Sequence, residues 1–227
     1  MKHLVVLSGA GISAESGLAT FRDSDGLWNN YRIEDVATPD AWRRNPALVL
    51  QFYNERRRNA AQAKPNAAHI ALAGLENRYR VSIITQNVDD LHERGGSAKV
   101  VHLHGKLREA CSTKYPELIY DIGDGDINLG DTCEKGSQLR PNIVWFGEMV
   151  PMIPIAADIC STADIFVVIG TSLQVYPAAG LLEYAPPHIP RYLIDPRPAL
   201  PYGSEKWTLI AEKATVGTQK LLSLLHE

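Results

Sequence analysis

Leu4-Val5-Val6-Leu7-Ser8-Gly9-Ala10-Gly11-Ile12-Ser13-Ala14 is the stretch from which the fold can be read. Its four apolar residues predict a short buried strand. The Gly-x-Gly-x-x-Ala that follows lets the backbone turn sharply and approach a pyrophosphate at the N-terminus of the next helix. A turn of small residues can also serve simply to pack helix on sheet, so the motif alone leaves both readings open. The dinucleotide fingerprint further expects a second strand ending in an acidic residue about 20 positions on. Here Thr20-Phe21-Arg22-Asp23-Ser24-Asp25-Gly26-Leu27-Trp28 takes that place and reads as a polar loop. A nucleotide is expected, held otherwise than in an ordinary dehydrogenase.

Outward from this turn, 227 residues suffice for one sizeable α/β domain with an insertion, burying its core without staples. A formal net charge of −3 gives no reason to expect tight binding to bare nucleic acid, which wants a basic face. No apolar run approaches the ~20 residues of a membrane span, and Met1-Lys2-His3 leads straight into the first strand without a signal peptide. Cys111, Cys133 and Cys160 are odd in number and widely spaced, which suits a reducing compartment. The expectation is a cytoplasmic protein acting on small or local substrates, with no nucleic acid and no membrane as partner.

Apolar runs at Val81–Thr85, Val100–Leu103, Ile143–Phe146, Ile165–Ile169 and Tyr192–Ile194 predict core strands. Helical patterns lie between them, at Pro46–Ala63, Ala67–Asn77, Ile155–Ser161 and Thr218–Leu225. The alternation predicts an α/β fold, a Rossmann-like, mainly parallel sheet with helices on both faces and ligands beyond the carboxyl ends of the strands. Two segments break it: a helical, polar one at 27–63 and a turn-rich one at 108–141. Both read as insertions forming a small lobe, which leaves 1–26, 64–107 and 142–227 for the large lobe.

Polar groups follow strand after strand. Gln86, Asn87 and Asp89 together exceed what a helix cap needs, whereas Asp90 is read as a cap. Alternation puts His102 and His104 on one strand face, as core residues or as site residues. Gly170-Thr171-Ser172 supplies a turn and two hydroxyls, again a site or a cap. Asp195 ends the last clear strand, where it could take ribose hydroxyls or cap a turn.

Gly9-Ala10-Gly11-Ile12-Ser13 with Thr20-Phe21-Arg22-Asp23, Thr85-Gln86-Asn87-Val88-Asp89, His104-Gly105, Leu139-Arg140-Pro141 running into Val144-Trp145-Phe146-Gly147-Glu148, and Gly170-Thr171-Ser172 resemble the sirtuins, NAD-dependent protein lysine deacylases, in five ordered motifs over residues 9 to 172. The resemblance implies NAD in the large lobe and an acyl-lysine peptide or protein in the cleft between lobes. It implies that nicotinamide leaves and the acyl group passes to ADP-ribose. By matching positions, Asp89 engages the nicotinamide carboxamide, Asn87 and Gln86 the ribose, and His104 serves as general base on a ribose hydroxyl, work suited to an imidazole. Gly9, Ala10, Gly11, Ser13, Phe21 and Arg22 cradle the diphosphate and close over the nicotinamide end. Gly170, Thr171 and Ser172 face phosphate and ribose, Ala214 meets adenine, and Val144, Phe146 and Gly147 border the substrate.

Two departures from the family pattern stand out. Asp195 replaces the usual Asn and would repel a phosphorylated dinucleotide, so NAD is expected. A structural zinc site wants four Cys or His ligands, but Lys114 and Gly136 stand where the partners of Cys111 and Cys133 belong. No zinc is expected, and the insert should be held by packing alone. Tyr53 and Arg56, at i and i+3, are either part of a solvated basic helix turn or, by resemblance to the Tyr-x-x-Arg of sirtuins that remove acidic acyl groups, a carboxylate site. Mono-ADP-ribosyl transfer, NAD hydrolysis or NAD sensing are the alternative activities.

Overall fold

The computed structural model describes residues 1–20, 27–28, 31–198 and 206–226. Strand β1 (His3–Ser8) is buried along its whole length and sits inside a six-stranded parallel sheet. Its neighbours are β4 (Arg80–Thr85), paired with β5 (Val100–His102) on one side, and β9 (Ile165–Ile169) on the other. Beyond β9 come β10 (Arg191–Ile194) and β11 (Thr208–Ile210), the last a strand that the sequence did not announce. Alternation along β1 splits the core. Val5 and Leu7 pack with Phe166 and Val168 under helix α7 (Ile153–Ser161), while Leu4 and Val6 pack with Ile83 and Val167 under α5 (Ala67–Gly74) and α8 (Ala214–His226). Burying such a side chain contributes about 1.5–3 kcal/mol, so β1 anchors both layers.

The segment before α5 holds an antiparallel strand pair, β2 (Leu27–Trp28) with β3 (Tyr31–Arg32), then α2 (Ile33–Val36), α3 (Pro39–Arg44) and α4 (Pro46–Gln62). Thr38 and Asn45 cap α3 and α4 through their side chains. The other irregular segment is not merely turns. It carries an antiparallel sheet of β6 (Gly105–Ser112), β7 (Ile119–Asp121) and β8 (Leu139–Ile143), and Val36, Phe52, Tyr53, Leu107, Ile143 and Trp145 form a separate apolar cluster between the two segments.

Two expectations are corrected here. Val144–Phe146 do not continue a core strand: β8 stops at Ile143 and belongs to the antiparallel sheet. The insert is also not held by packing alone. Asn54, buried on α4, accepts from the Ile127 amide and donates to the Ile127 carbonyl, both at 3.0 Å, and accepts from Arg57 Nη1 at 2.7 Å. Arg57 is itself buried and donates to the carbonyls of Leu107 and Gly125. Asn54→Ala strips Ile127 of both bonds and Arg57 of one, so a loss of about 2–4 kcal/mol is expected. Urea unfolding checks this, and a change under about 0.5 kcal/mol, the size of an ordinary surface substitution, would show that the stitch carries no weight.

Candidate active site

The Gly9-Ala10-Gly11 turn leaves β1 and presses against the end of β9. The amides of Gly9 and Gly11 donate to the carbonyls of Ile169 and Gly170 at 3.0 and 2.8 Å. A Cβ on Gly11 would lie 2.7 Å from Gly170 Cα, and one on Gly170, whose φ is +64°, would lie 2.4 Å from the Ile12 nitrogen. Only glycine fits either position.

This turn lines one wall of a cavity of about 680 Å³, a size suited to a cofactor or small ligand. Gln86, Asn87, Asp89, His104, Thr171, Ser172, Asp195 and Ala214 border it, as do Tyr53, Arg56, Val144, Phe146 and Gly147. Ser13 stands just behind, buried, donating to Asp89 Oδ2 at 3.1 Å and receiving from the Asn87 amide at 3.1 Å. Phe21 and Arg22 lie outside the described residues. The structure therefore brings together the strand ends of β1, β4, β5, β9 and β10.

Each polar group is held. The Asn87 carboxamide donates to the Gly9 carbonyl at 3.2 Å, and the Gln86 amide to Thr171 Oγ1 at 3.0 Å. Asp89, not Asp90, supplies the helix-cap bond, accepting the Leu91 amide at 3.1 Å; Asp90 makes no side-chain cap. Burial raises the Asp89 carboxyl above its ordinary value, opposed by its bonds from Leu91 and Ser13. Thr171 caps no helix; its hydroxyl accepts from Gln86 and from the Leu173 amide. Asp195 is buried just past β10 and accepts the Arg197 amide at 2.9 Å. Ala214 is the first residue of α8 rather than a turn residue before it.

His104 stands 3.0 Å through Nδ1 from the Gln86 carbonyl. That oxygen can only accept, so Nδ1 carries the proton and Nε2 keeps its lone pair. Burial holds this histidine below its ordinary value, against the upward pull of the Gln86 bond. A neutral imidazole with one nitrogen fixed and no partner on the other among the described residues is equipped to take a proton.

On the opposite wall, α4 brings Tyr53 and Arg56 to the cavity on one face. Arg56 is half-buried, stacked over the Phe52 ring at 5.5 Å, while Arg57 faces inward and Arg58 outward to Asp126. Only Arg58 fits the picture of a solvated turn. Burial lowers Arg56 to about 10, opposed by its neighbours Tyr53 and Asp89, so it remains a cation at neutral pH. The Tyr53 hydroxyl is buried with no well-aligned hydrogen-bond partner among the described residues.

Sequence reading missed the clamp behind Val144–Gly147. Arg140 holds Glu148 in a two-pronged pair at 2.8 and 3.2 Å, donates to the Ile143 carbonyl and lies over the Trp145 ring at 3.3 Å. Glu148 in turn accepts the Trp145 amide at 2.7 Å. The spacing of Arg140 and Glu148 was visible, but nothing in it tells a clamp from two surface charges.

Fold and site together define an α/β nucleotide-binding protein whose cavity pairs a proton acceptor with a cationic pocket. The Sir2 family model matches residues 9–177, and the chain belongs to that family. It is similar to NAD-dependent protein deacylases of Bacteroides thetaiotaomicron (51% identical, over 99% of this chain and 98% of that protein) and Helicobacter pylori strain 26695 (52%, over 100% and 99%). Among solved structures, a complex of a Sir2 homolog with NAD superposes with a TM-score of 0.88 at 40% identity, covering 99% of this chain and 90% of that one. A Sir2 complex with a deacetylated p53 peptide and 3'-O-acetyl ADP-ribose superposes with a TM-score of 0.80 at 32% identity, covering 97% and 92%.

Proposed function

We propose that this NAD-dependent protein-lysine deacylase removes acyl groups ending in a carboxylate, succinyl and malonyl, as well as acetyl. The observation that carries the reading is the Tyr53 hydroxyl, buried and without a well-aligned partner among the described residues, on the same helix face and cavity wall as the Arg56 guanidinium. A buried donor left unmet costs stability, and a substrate carboxylate would meet it while pairing with the cation. Comparing kcat/KM for succinyl-lysine and acetyl-lysine peptides tests this; a protein with acetyl activity alone would refute the selectivity.

The donor set of the cavity suits NAD, which when bound supplies an activated ribose carbon with nicotinamide as leaving group. Gly9, Ala10, Gly11, Ser13, Thr171, Ser172 and Gly170 hold its diphosphate and ribose side. Asn87, Asp89 and Gln86 orient the nicotinamide end, and Asp195 and Ala214 flank the adenosine end. The resemblance adds Phe21 and Arg22. His104 Nε2 takes a proton from a ribose hydroxyl, and Asp195 disfavours an added phosphate. Val144, Phe146 and Gly147 border the acyl-lysine segment of a protein or peptide. The two irregular segments, 27–63 and 108–141, form the small lobe against which the substrate is held. The three unpaired cysteines suit a cytoplasmic setting. No helix among the described residues is long and apolar enough to cross a membrane.

The small antiparallel sheet is proposed to stand without zinc. Its ends are tied by Thr113 to Ser137 at 2.7 Å, by Cys133 Sγ donating to Ser112 Oγ at 3.4 Å, and by Gln138, which accepts from the Gly130 amide and donates to the Asn128 and Leu139 carbonyls. Asp131 is engaged by the Asn128 amide and Glu134 by the Tyr120 hydroxyl. Elemental analysis of protein purified without chelators is expected to find no stoichiometric zinc. One tightly held zinc per chain would contradict it.

A further inference from the structure

His102 and His104 hold consecutive carbonyls of the same loop. His104 Nδ1 is 3.0 Å from the Gln86 oxygen, and His102 Nδ1 is 3.0 Å from the Asn87 oxygen. Their far nitrogens differ: that of His104 lies toward the cavity, whereas His102 Nε2 is 2.8 Å from Glu93 Oε1 on α6 (Leu91–Arg94). A carbonyl oxygen only accepts, and so does an ionised carboxylate. Burial works against the Glu93 charge, but the bond and charge of His102, with Lys106 beyond, hold the carboxyl below its ordinary value. With an acceptor on each side, a ring carrying protons on both nitrogens would donate to each.

We propose that His102 is held as an imidazolium between Glu93 and the Asn87 carbonyl, and that this pair, His102 buried and Glu93 partly exposed, is a positioning device for the Asn87–Asp89 turn. Charge assistance strengthens both bonds. The pinned carbonyl fixes the backbone from which the Asn87 carboxamide reaches Gly9 and Ser13. Other charged or titratable groups around the pair are Asp89 and Asp90 from the loop, His92 from α6 and Lys106 from β6. Burial lowers His92 to about 3, so it is neutral, and the His102 cation favours the ionised form of Asp89. Glu93 Oε2 is buried without a side-chain partner among the described residues, and Oε1 meets His102.

The positioning role rests on the reading of Asn87 and Asp89 as groups that orient the nicotinamide end; the charge of the ring does not. Nitrogen-15 spectra of the histidine-labelled full chain at neutral pH, assigned with His102→Gln, should show both His102 nitrogens protonated. Glu93→Gln keeps the shape and can donate to Nε2, so its ring should revert to neutral and identify the same signal should His102→Gln fail to fold. In Glu93→Gln, kcat/KM for NAD and NAD affinity by calorimetry should both fall on the order of 10-fold, the lower bound for losing a charged hydrogen bond, with a melting temperature near wild type. A neutral His102 ring in the wild type overturns the ion pair. A ring neutralised by Glu93→Gln with NAD affinity and turnover unchanged overturns the positioning role. Wild type without turnover on acyl-lysine peptides would instead count against the proposed function, and the ring spectrum would still judge the pair.

Discussion

His104→Ala is expected to lower kcat for deacylation by about 10²- to 10⁴-fold, the range for losing a positioned acid or base, while NAD affinity stays within a few-fold. The imidazole is anchored through Nδ1 to the Gln86 carbonyl, so its removal leaves the neighbouring Asn87 to Gly9 and Gln86 to Thr171 bonds in place. As the proposed base, His104 would be active when neutral. Its proton leaves at a pH below the ordinary histidine value of 6.5, so kcat/KM should rise with pH through a limb lying below that value and be flat above it. Near-normal turnover in the variant, or an acid limb clearly above 6.5, would move the base elsewhere.

Arg56→Met is expected to remove most succinyl-lysine activity and leave acetyl-lysine activity within a few-fold. A hydrogen bond to a charged group contributes about 1.5–3 kcal/mol, and at roughly 1.4 kcal/mol per factor of ten the preference for the acidic acyl group should fall by about 10- to 150-fold. An acetyl methyl carries no charge for the guanidinium to meet. Methionine keeps an apolar stem of similar length and removes the guanidinium, whose carbon lies 5.5 Å from the Phe52 ring centroid. A parallel fall of both activities in kcat/KM would return Arg56 to a structural role.

The glycine turn was legible because its signal is local: four apolar residues, then glycines that only the contact with Gly170 requires. The parallel strands were legible for the same reason, each a short apolar run. Val144–Phe146 looked like another such run, yet its amides go to three places, the His104 carbonyl, the Glu148 carboxylate and the Ala37 carbonyl. No periodicity records that. β6 went unseen because Gly105–Ser112 is mostly polar, and its inward residues, Leu107 and Ala110, are separated by charged ones. Arg57 looked solvated in a run of three arginines, and its burial depends on carbonyls 50 and 68 residues away. For the site, alternation put His102 and His104 on one face, but only the structure tells them apart, one nitrogen reaching Glu93 and the other the cavity. The choice between Asp89 and Asp90 as cap likewise needed coordinates, since both precede the same short helix.

The most direct measurement is mass spectrometry of a succinyl-lysine peptide incubated with the protein, with and without NAD. The peptide is expected to lose its acyl mass only when NAD is present, with nicotinamide and O-succinyl-ADP-ribose formed in equal amounts. An unchanged peptide alongside free ADP-ribose, or ADP-ribose attached to a protein acceptor, would contradict it.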